Sequence, residues 1–297
     1  HYGITYAVLI LTFLSAHEFG HYFAAKYHGV EASLPYYIPF PFTFTINFGT
    51  FGAVIKTYTP IPTKKALFDI GVAGPIAGFV VALSFLIYGF LTLPGIEFIY
   101  KIHPEYITEF GGNIPDFGLH FGNTLLFSFL SNIFSTPDNF IPPMNEIYHY
   151  PFLNVGWFGL FVTTLNMLPM GQLDGGHITY AMFGERRHYQ IAKFTFRILI
   201  LIGLFSAIGA TYDFLSIIPK NSEYHYLKEI FYPTIKSIYN IYPPLFRGWS
   251  GWLVWAVISK FFIKLKHPPI FSNDELDKNR KILGWFALFI LLLSFSY

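Results

Sequence analysis

The stretch ITYAVLILTFLSAHEFGHYFAA, residues 4–25, decides how this chain is read. It is long enough to cross the ~30 Å hydrocarbon core of a bilayer, which takes about 20 residues of helix, and it lacks the small-residue cleavage site of a signal peptide. On a helix, residues four apart lie on nearly the same face. The imidazoles of His17 and His21 can therefore share a metal ion while Glu18 points beside it. In the chemistry served by a His-Glu-x-x-His pattern, zinc lowers the pKa of water to about 7, and the glutamate takes its proton as the water attacks a carbonyl carbon. Such a pattern also arises by chance. Inside an apolar run, however, an ionisable side chain costs about 2.5 to 3.5 kcal/mol at a helix centre, so a purely structural cluster is an expensive accident there.

The composition agrees with a membrane setting. Of 297 residues, 53% are hydrophobic, 21% aromatic and only 12% charged. The mean hydropathy is +0.45, the balance of a polytopic membrane protein rather than a soluble domain. A net charge of +2 offers no basic surface for nucleic acid, so the expected partner is the lipid bilayer. Cysteine is absent. That excludes disulfides and thiolate metal sites, and any zinc must be held by His, Asp or Glu.

Worked outward from the first helix (Gly3 to Tyr27), the pattern predicts an all-α polytopic membrane protein with about six transmembrane helices. A small membrane-associated β-hairpin is expected between the first two. It falls in Pro35 to Thr59, with strands at Thr43–Phe48 and Ala53–Lys56, and is placed beside the metal. A second helix spans Lys65 to Leu93, with a small-residue surface at Gly71, Ala73, Gly74, Ala77 and Gly78 and a kink at Pro75. The segment Pro94 to Pro151 reads as an exposed loop carrying an interfacial helix at Leu125 to Ile133. Further helices are expected at Phe152–Leu168, Ile191–Thr211, Gly251–Lys264 and Ile282–Tyr297. The loop between the second and third of these, Tyr212 to Arg247, is mixed in charge and aromatic.

Basic residues orient this map. Lys56, Lys64 and Lys65, then Arg186, Arg187 and Lys193, then the cluster from Lys260 to Lys281 all fall on one side, which the positive-inside rule makes cytoplasmic. Lys220, Lys228, Lys236 and Arg247 lessen the contrast. On this topology the His17–His21 pattern lies toward the cytoplasmic end of its helix, and Asp174 comes out at a similar depth. A catalytic zinc wants three protein ligands. Asp174 meets the requirement because the break at Pro169 and Gly171 loosens the chain where a carboxylate can turn toward the first helix; His177, one turn on, is the rival ligand. Asn166 is either a polar group capping freed carbonyls or a donor toward a peptide carbonyl. Thr12, Ser15, Thr163, Thr164 and Asn166 are expected to line a path for water.

Together, His17-Glu18-Phe19-Gly20-His21 and the run from Asn166 through Pro169, Leu173, Asp174 and Gly175 to His177 resemble the site-2 protease family of intramembrane zinc metalloproteases. The second run matches that family's N-x-x-P-x-x-x-L-D-G pattern at every fixed position. Lys65 to Pro75 also resembles the family's third helix, most like the branch without a PDZ domain that is similar to bacterial, archaeal and chloroplast members. The resemblance implies that His17, His21 and Asp174 hold one Zn2+ per chain, that Glu18 is the catalytic base, and that Asn166 assists the substrate or the oxyanion. It implies a membrane-anchored protein substrate cleaved within or near the bilayer, in a prokaryotic cell membrane or an organelle membrane. Residues 1–185 are expected to form the metalloprotease core and 186–297 the C-terminal transmembrane helices. The rival reading is a non-enzymatic transporter or scaffold with a metal or ion site.

Overall fold

The computed structural model describes residues 2–39, 50–116, 118, 120–135, 140–270, 272 and 274–296. In chain order the elements are α1 (Tyr2–Tyr27), β1 (Tyr36–Pro39), β2 (Thr50–Val54), α2 (Lys64–Leu91), α3 (Glu97–Ile102), α4 (Glu105–Thr108), α5 (Leu125–Phe134), α6 (Pro151–Met167), α7 (Asp174–Ile217), α8 (His225–Tyr239), α9 (Gly251–Ile258) and α10 (Lys278–Ser294). A π-helical turn, Ser259–Ile263, extends α9. Among the described residues, α1, α2 and α7 are long and apolar enough to cross a membrane. Their outward faces expose large apolar side chains, including Ile4, Val8, Val80, Phe194, Leu201 and Leu204. Contiguous apolar surface of that extent belongs in lipid, and the chain is a membrane protein.

α1 and α2 run antiparallel at close range. A Cβ on Gly20 would stand 2.6 Å from the Ala73 carbonyl oxygen, and one on Gly78 would stand 3.2 Å from Phe13 and from His17. As the α1 number falls, the α2 number rises. Lipid supplies little drive to bring apolar helices together, so close backbone approach through small residues is what packs them. Around this pair Phe13, Leu14, Phe79, Ala82, Leu86, Leu153 and Leu160 form a continuous buried cluster with α6.

The basic end of α2 is fastened from afar. Thr63 Oγ1 accepts the Ala66 amide at 3.1 Å, and the Asp274 carboxylate accepts the Lys64 and Lys65 amides, each at 3.1 Å. These three acceptors satisfy N–H groups that a helix start leaves unpaired. One turn on, Asp69 takes a bidentate pair from Arg280 of α10 at 2.8 and 2.6 Å, and its Oδ2 lies 2.8 Å from His28 Nε2. On its next turns, Gly284 of α10 packs against Met182 and Phe68. The two parts expected at 1–185 and 186–297 therefore interlock.

Several expectations need correction. The hairpin pairs Tyr36–Pro39 with Thr50–Val54, in the register Tyr36↔Val54 and Tyr37↔Ala53. Its first strand lies earlier than expected, and the predicted strand Thr43–Phe48 falls outside the described residues. The segment between α2 and α6 is packed rather than exposed, since Ile99, Tyr106, Phe121, Phe127, Leu130 and Ile147 join the main core. The helix expected from Ile191 begins earlier, just after Gly184, whose φ of 76° and ψ of 171° divide α7 into two helical parts, the first opening at Asp174. The mixed-charge loop after it contains α8, whose Pro233 hides a helical pattern.

Candidate metal centre

α1 turns His17, Glu18 and His21 inward, leaving them 3%, 7% and 7% exposed. His17 Nε2 lies 3.1 Å from His21 Nε2 and 3.3 Å from Asp174 Oδ2, while His21 Nε2 lies 3.4 Å from Asp174 Oδ1. Bonds of about 2.0 to 2.1 Å in a tetrahedron set ligand atoms about 3.3 Å apart, so this spacing is what zinc requires. The tautomer fits as well. His21 Nδ1 is 2.7 Å from the Ile70 carbonyl, to which it donates, leaving the Nε2 lone pair to face the carboxylate. Two acceptors that close repel unless a cation lies between them.

Asp174 arrives by way of a break in the helical chain. α6 stops at Met167, and Gly171 takes a φ of 50° in the turn that follows. A Cβ on Gly175 would overlap the Met167 carbonyl, and one on Gly176 would come 2.6 Å from the Met170 carbonyl. The Asp-Gly-Gly run thus lets the turn rest directly on the first coil of α7, where Asp174 sits. A carboxylate is also favoured at a helix N-terminus by the helix dipole.

His177 does not join the cluster. Its Nδ1 lies 2.7 Å from His267 Nε2, in the linker before α10, and His267 Nδ1 donates to the Pro268 carbonyl at 2.6 Å. Asn166 does stand beside the cluster, with Nδ2 3.3 Å from His17 Nε2. Of the other residues expected to meet water, Ser15 is part-exposed and bonds Tyr37 Oη at 2.6 Å. Thr12 is exposed and donates to the Val8 carbonyl at 2.7 Å, Thr163 donates to the Gly159 carbonyl at 2.7 Å, and Thr163 and Thr164 are fully buried. Sequence reasoning also missed what Gly74 does: a Cβ there would overlap the His21 ring. The small-residue surface of α2 was the signal.

Paired histidines one turn apart, a carboxylate from a separate segment and a glutamate beside them define a metallopeptidase-like centre on a membrane helix. Residues 5–210 match Peptidase family M50. The chain belongs to that family. It is 32% identical over 196 residues to the "Probable zinc metalloprotease EGY1, chloroplastic" of Oryza sativa subsp. japonica, covering 66% of this chain and 30% of that protein. It is 29% identical over 195 residues to the protein of the same name from Arabidopsis thaliana, covering 66% and 32%. Against the "Probable zinc metallopeptidase EGY3, chloroplastic" of Arabidopsis thaliana it is 30% identical over 203 residues, covering 65% and 32%. The matched region is thus about a third of the length of these relatives. No solved structure matches the chain significantly.

Proposed function

We propose that the protein is an intramembrane zinc metalloendopeptidase that hydrolyses peptide bonds in membrane-anchored protein substrates. The observation that carries this reading is the convergence of His17 Nε2, His21 Nε2 and the Asp174 carboxylate at zinc spacing, with Glu18 next to them. Family membership and the zinc metalloprotease names of the plant relatives support it. His17, His21 and Asp174 would hold the ion. Bound there, zinc supplies a Lewis acid that polarises a carbonyl and brings the pKa of water to about 7. Glu18 accepts the proton of the attacking water and returns it to the leaving amine. Asn166 turns its amide N–H toward the developing oxyanion.

The hairpin lies against this centre. Tyr37 is tied to Ser15 of α1, and the Ile55 backbone, just past β2, lies beside the Glu18 carboxylate. A substrate helix hides its carbonyls in its own hydrogen bonds, and pairing as an added strand along the hairpin edge exposes them. Replacing Tyr36–Ile38 with Gly-Ser-Gly should slow cleavage at least tenfold with zinc content unchanged; unaltered cleavage would remove strand addition from the mechanism. In this reading the shorter α6, α9 with its π turn, and α10 complete about six crossings, and the metal lies toward the basic, cytoplasmic side of a prokaryotic membrane or its organellar counterpart.

Gly74 offers a test of the cradle around His21. In an ordinary helix Gly→Ala gains about 1 kcal/mol. Here Gly74→Ala should instead displace His21, lowering bound zinc and stopping cleavage, whereas Gly3→Ala, which meets nothing within 4 Å, should do neither. Full zinc in Gly74→Ala would show that the helices separate without disturbing the ligand set.

The direct test of function is proteolysis in liposomes. The full chain is co-reconstituted with a panel of single-span membrane proteins and fragments are read by mass spectrometry. Cleavage within the spans, abolished by 1,10-phenanthroline and restored by zinc, is the expected result. A zinc-loaded chain that cuts nothing in the panel while moving ions across the vesicle would favour the transporter reading.

A further inference from the structure

A second convergence of His and Glu side chains lies between α2 and α6, in the segment read from sequence as an exposed loop with an interfacial helix. His103 Nε2 is 3.0 Å from His149 Nε2, and Glu146 Oε2 is 3.5 Å from His149 Nε2 and 3.9 Å from His103 Nε2. Among the described residues, these three and the His17, His21 and Asp174 group are the two places where three such ligand atoms converge. In the second group the 3.0 and 3.5 Å separations lie close to the tetrahedral value derived above, and the 3.9 Å one is wider.

Two members of the second set, His103 and Glu146, are oriented by neighbours. His103 Nδ1 lies 2.9 Å from Glu105 Oε1 and donates to it, which turns the Nε2 lone pair toward the cluster. His103 also stacks on the Tyr106 ring, at 4.7 Å between centroids. Tyr106 Oη donates to Glu146 Oε1 at 2.8 Å. Glu146 is only 2% exposed, and its other oxygen, the one facing the two imidazoles, is buried without a hydrogen-bond donor. A carboxylate oxygen taken out of water needs a donor or a cation. A hydrogen bond between His103 and His149 would satisfy the two rings but leave that oxygen unanswered. Two imidazole nitrogens and one carboxylate suit zinc and its transition-metal neighbours rather than magnesium or calcium.

We propose that His103, Glu146 and His149 bind a second zinc ion, which ties the end of α3 to the turn that starts α6. The site is remote from the first. Tyr6, near the start of α1, donates its hydroxyl to the Tyr148 carbonyl, and His17 lies eleven residues further along the same helix, about 16 Å at 1.5 Å per residue. A zinc here would therefore fasten the membrane end of the core opposite the His17–His21 centre.

The test is zinc per chain in the full-length protein, purified in detergent and dialysed exhaustively. Wild type should hold two equivalents. His17→Asn/His21→Asn should hold one, and His103→Asn/His149→Asn should hold one. Adding Glu146→Gln to His17→Asn/His21→Asn should remove the remainder. X-ray absorption on His17→Asn/His21→Asn should find two imidazoles and an oxygen around the remaining metal. A monodisperse His17→Asn/His21→Asn protein that binds no zinc after incubation with excess zinc would overturn the proposal, as would a wild-type count that His103→Asn/His149→Asn leaves unchanged. Absence of proteolysis would leave the second site standing, because its readout is metal and not cleavage.

Discussion

Glu18→Gln is expected to keep its metal and to cleave a membrane substrate about 10²- to 10⁴-fold more slowly, the usual worth of a positioned general base. Glutamine has the shape of glutamate, so packing at this 7%-exposed position should survive. What it cannot do is take a proton. Glu18 is also absent from the converging ligand set of His17, His21 and Asp174, which is why the zinc count should not move. The measurement is single-turnover cleavage in liposomes alongside metal analysis of the same preparation. Cleavage within tenfold of wild type would give the proton to another residue, and lost zinc would make Glu18 a ligand.

Asp174→Ala should lose the zinc held with His17 and His21 and with it all detectable turnover. Removing even an outer partner of a metal ligand costs 10- to 100-fold in affinity; removing a ligand leaves only two imidazoles to hold the ion. The instructive comparison is His177→Ala. It breaks a 2.7 Å hydrogen bond with His267 but touches none of the three converging atoms. It should keep that zinc and lose, at most, some ordering of the linker before α10. Zinc retained in Asp174→Ala and lost in His177→Ala would reverse the assignment that both sequence and geometry favour.

The first half of this centre was legible because helical spacing alone brings His17 and His21 onto one face. The Asp174 motif was legible as a break, since Pro169 and Gly171 interrupt an apolar helix. That the break ends by opening a new helix was not, because Gly175 and Gly176 read as loop residues until the backbone resting on them is seen. The hairpin was placed in the right interval, with its second strand near the observed one; that strand's partner, Tyr36–Pro39, was not read because it carries a proline and gives no alternation to find. The segment between α2 and α6 misled for a different reason. The helix read at Leu125–Ile133 does form, as α5 (Leu125–Phe134), but the other buried residues, Ile99, Tyr106, Phe121 and Ile147, come singly between prolines and glycines, so nothing in the pattern announced that the segment packs into the core. His103 and Glu146, 43 positions apart, are joined only by that fold.

The contacts that fasten α2 bear on how this protein can be trimmed. The family match ends at residue 210, and a laboratory seeking a minimal version would cut there. Asp274 and Arg280 lie beyond that cut, yet one closes the first turn of α2 and the other grips Asp69 five residues into it. Further along the same helix are Ile70, which holds His21, and Gly74, which makes room for it. Homology marks where ancestry is still readable, while the keystones of the arch stand outside that mark. Shortening this protein to its recognisable part would leave every ligand in the sequence and loosen the wall they lean on.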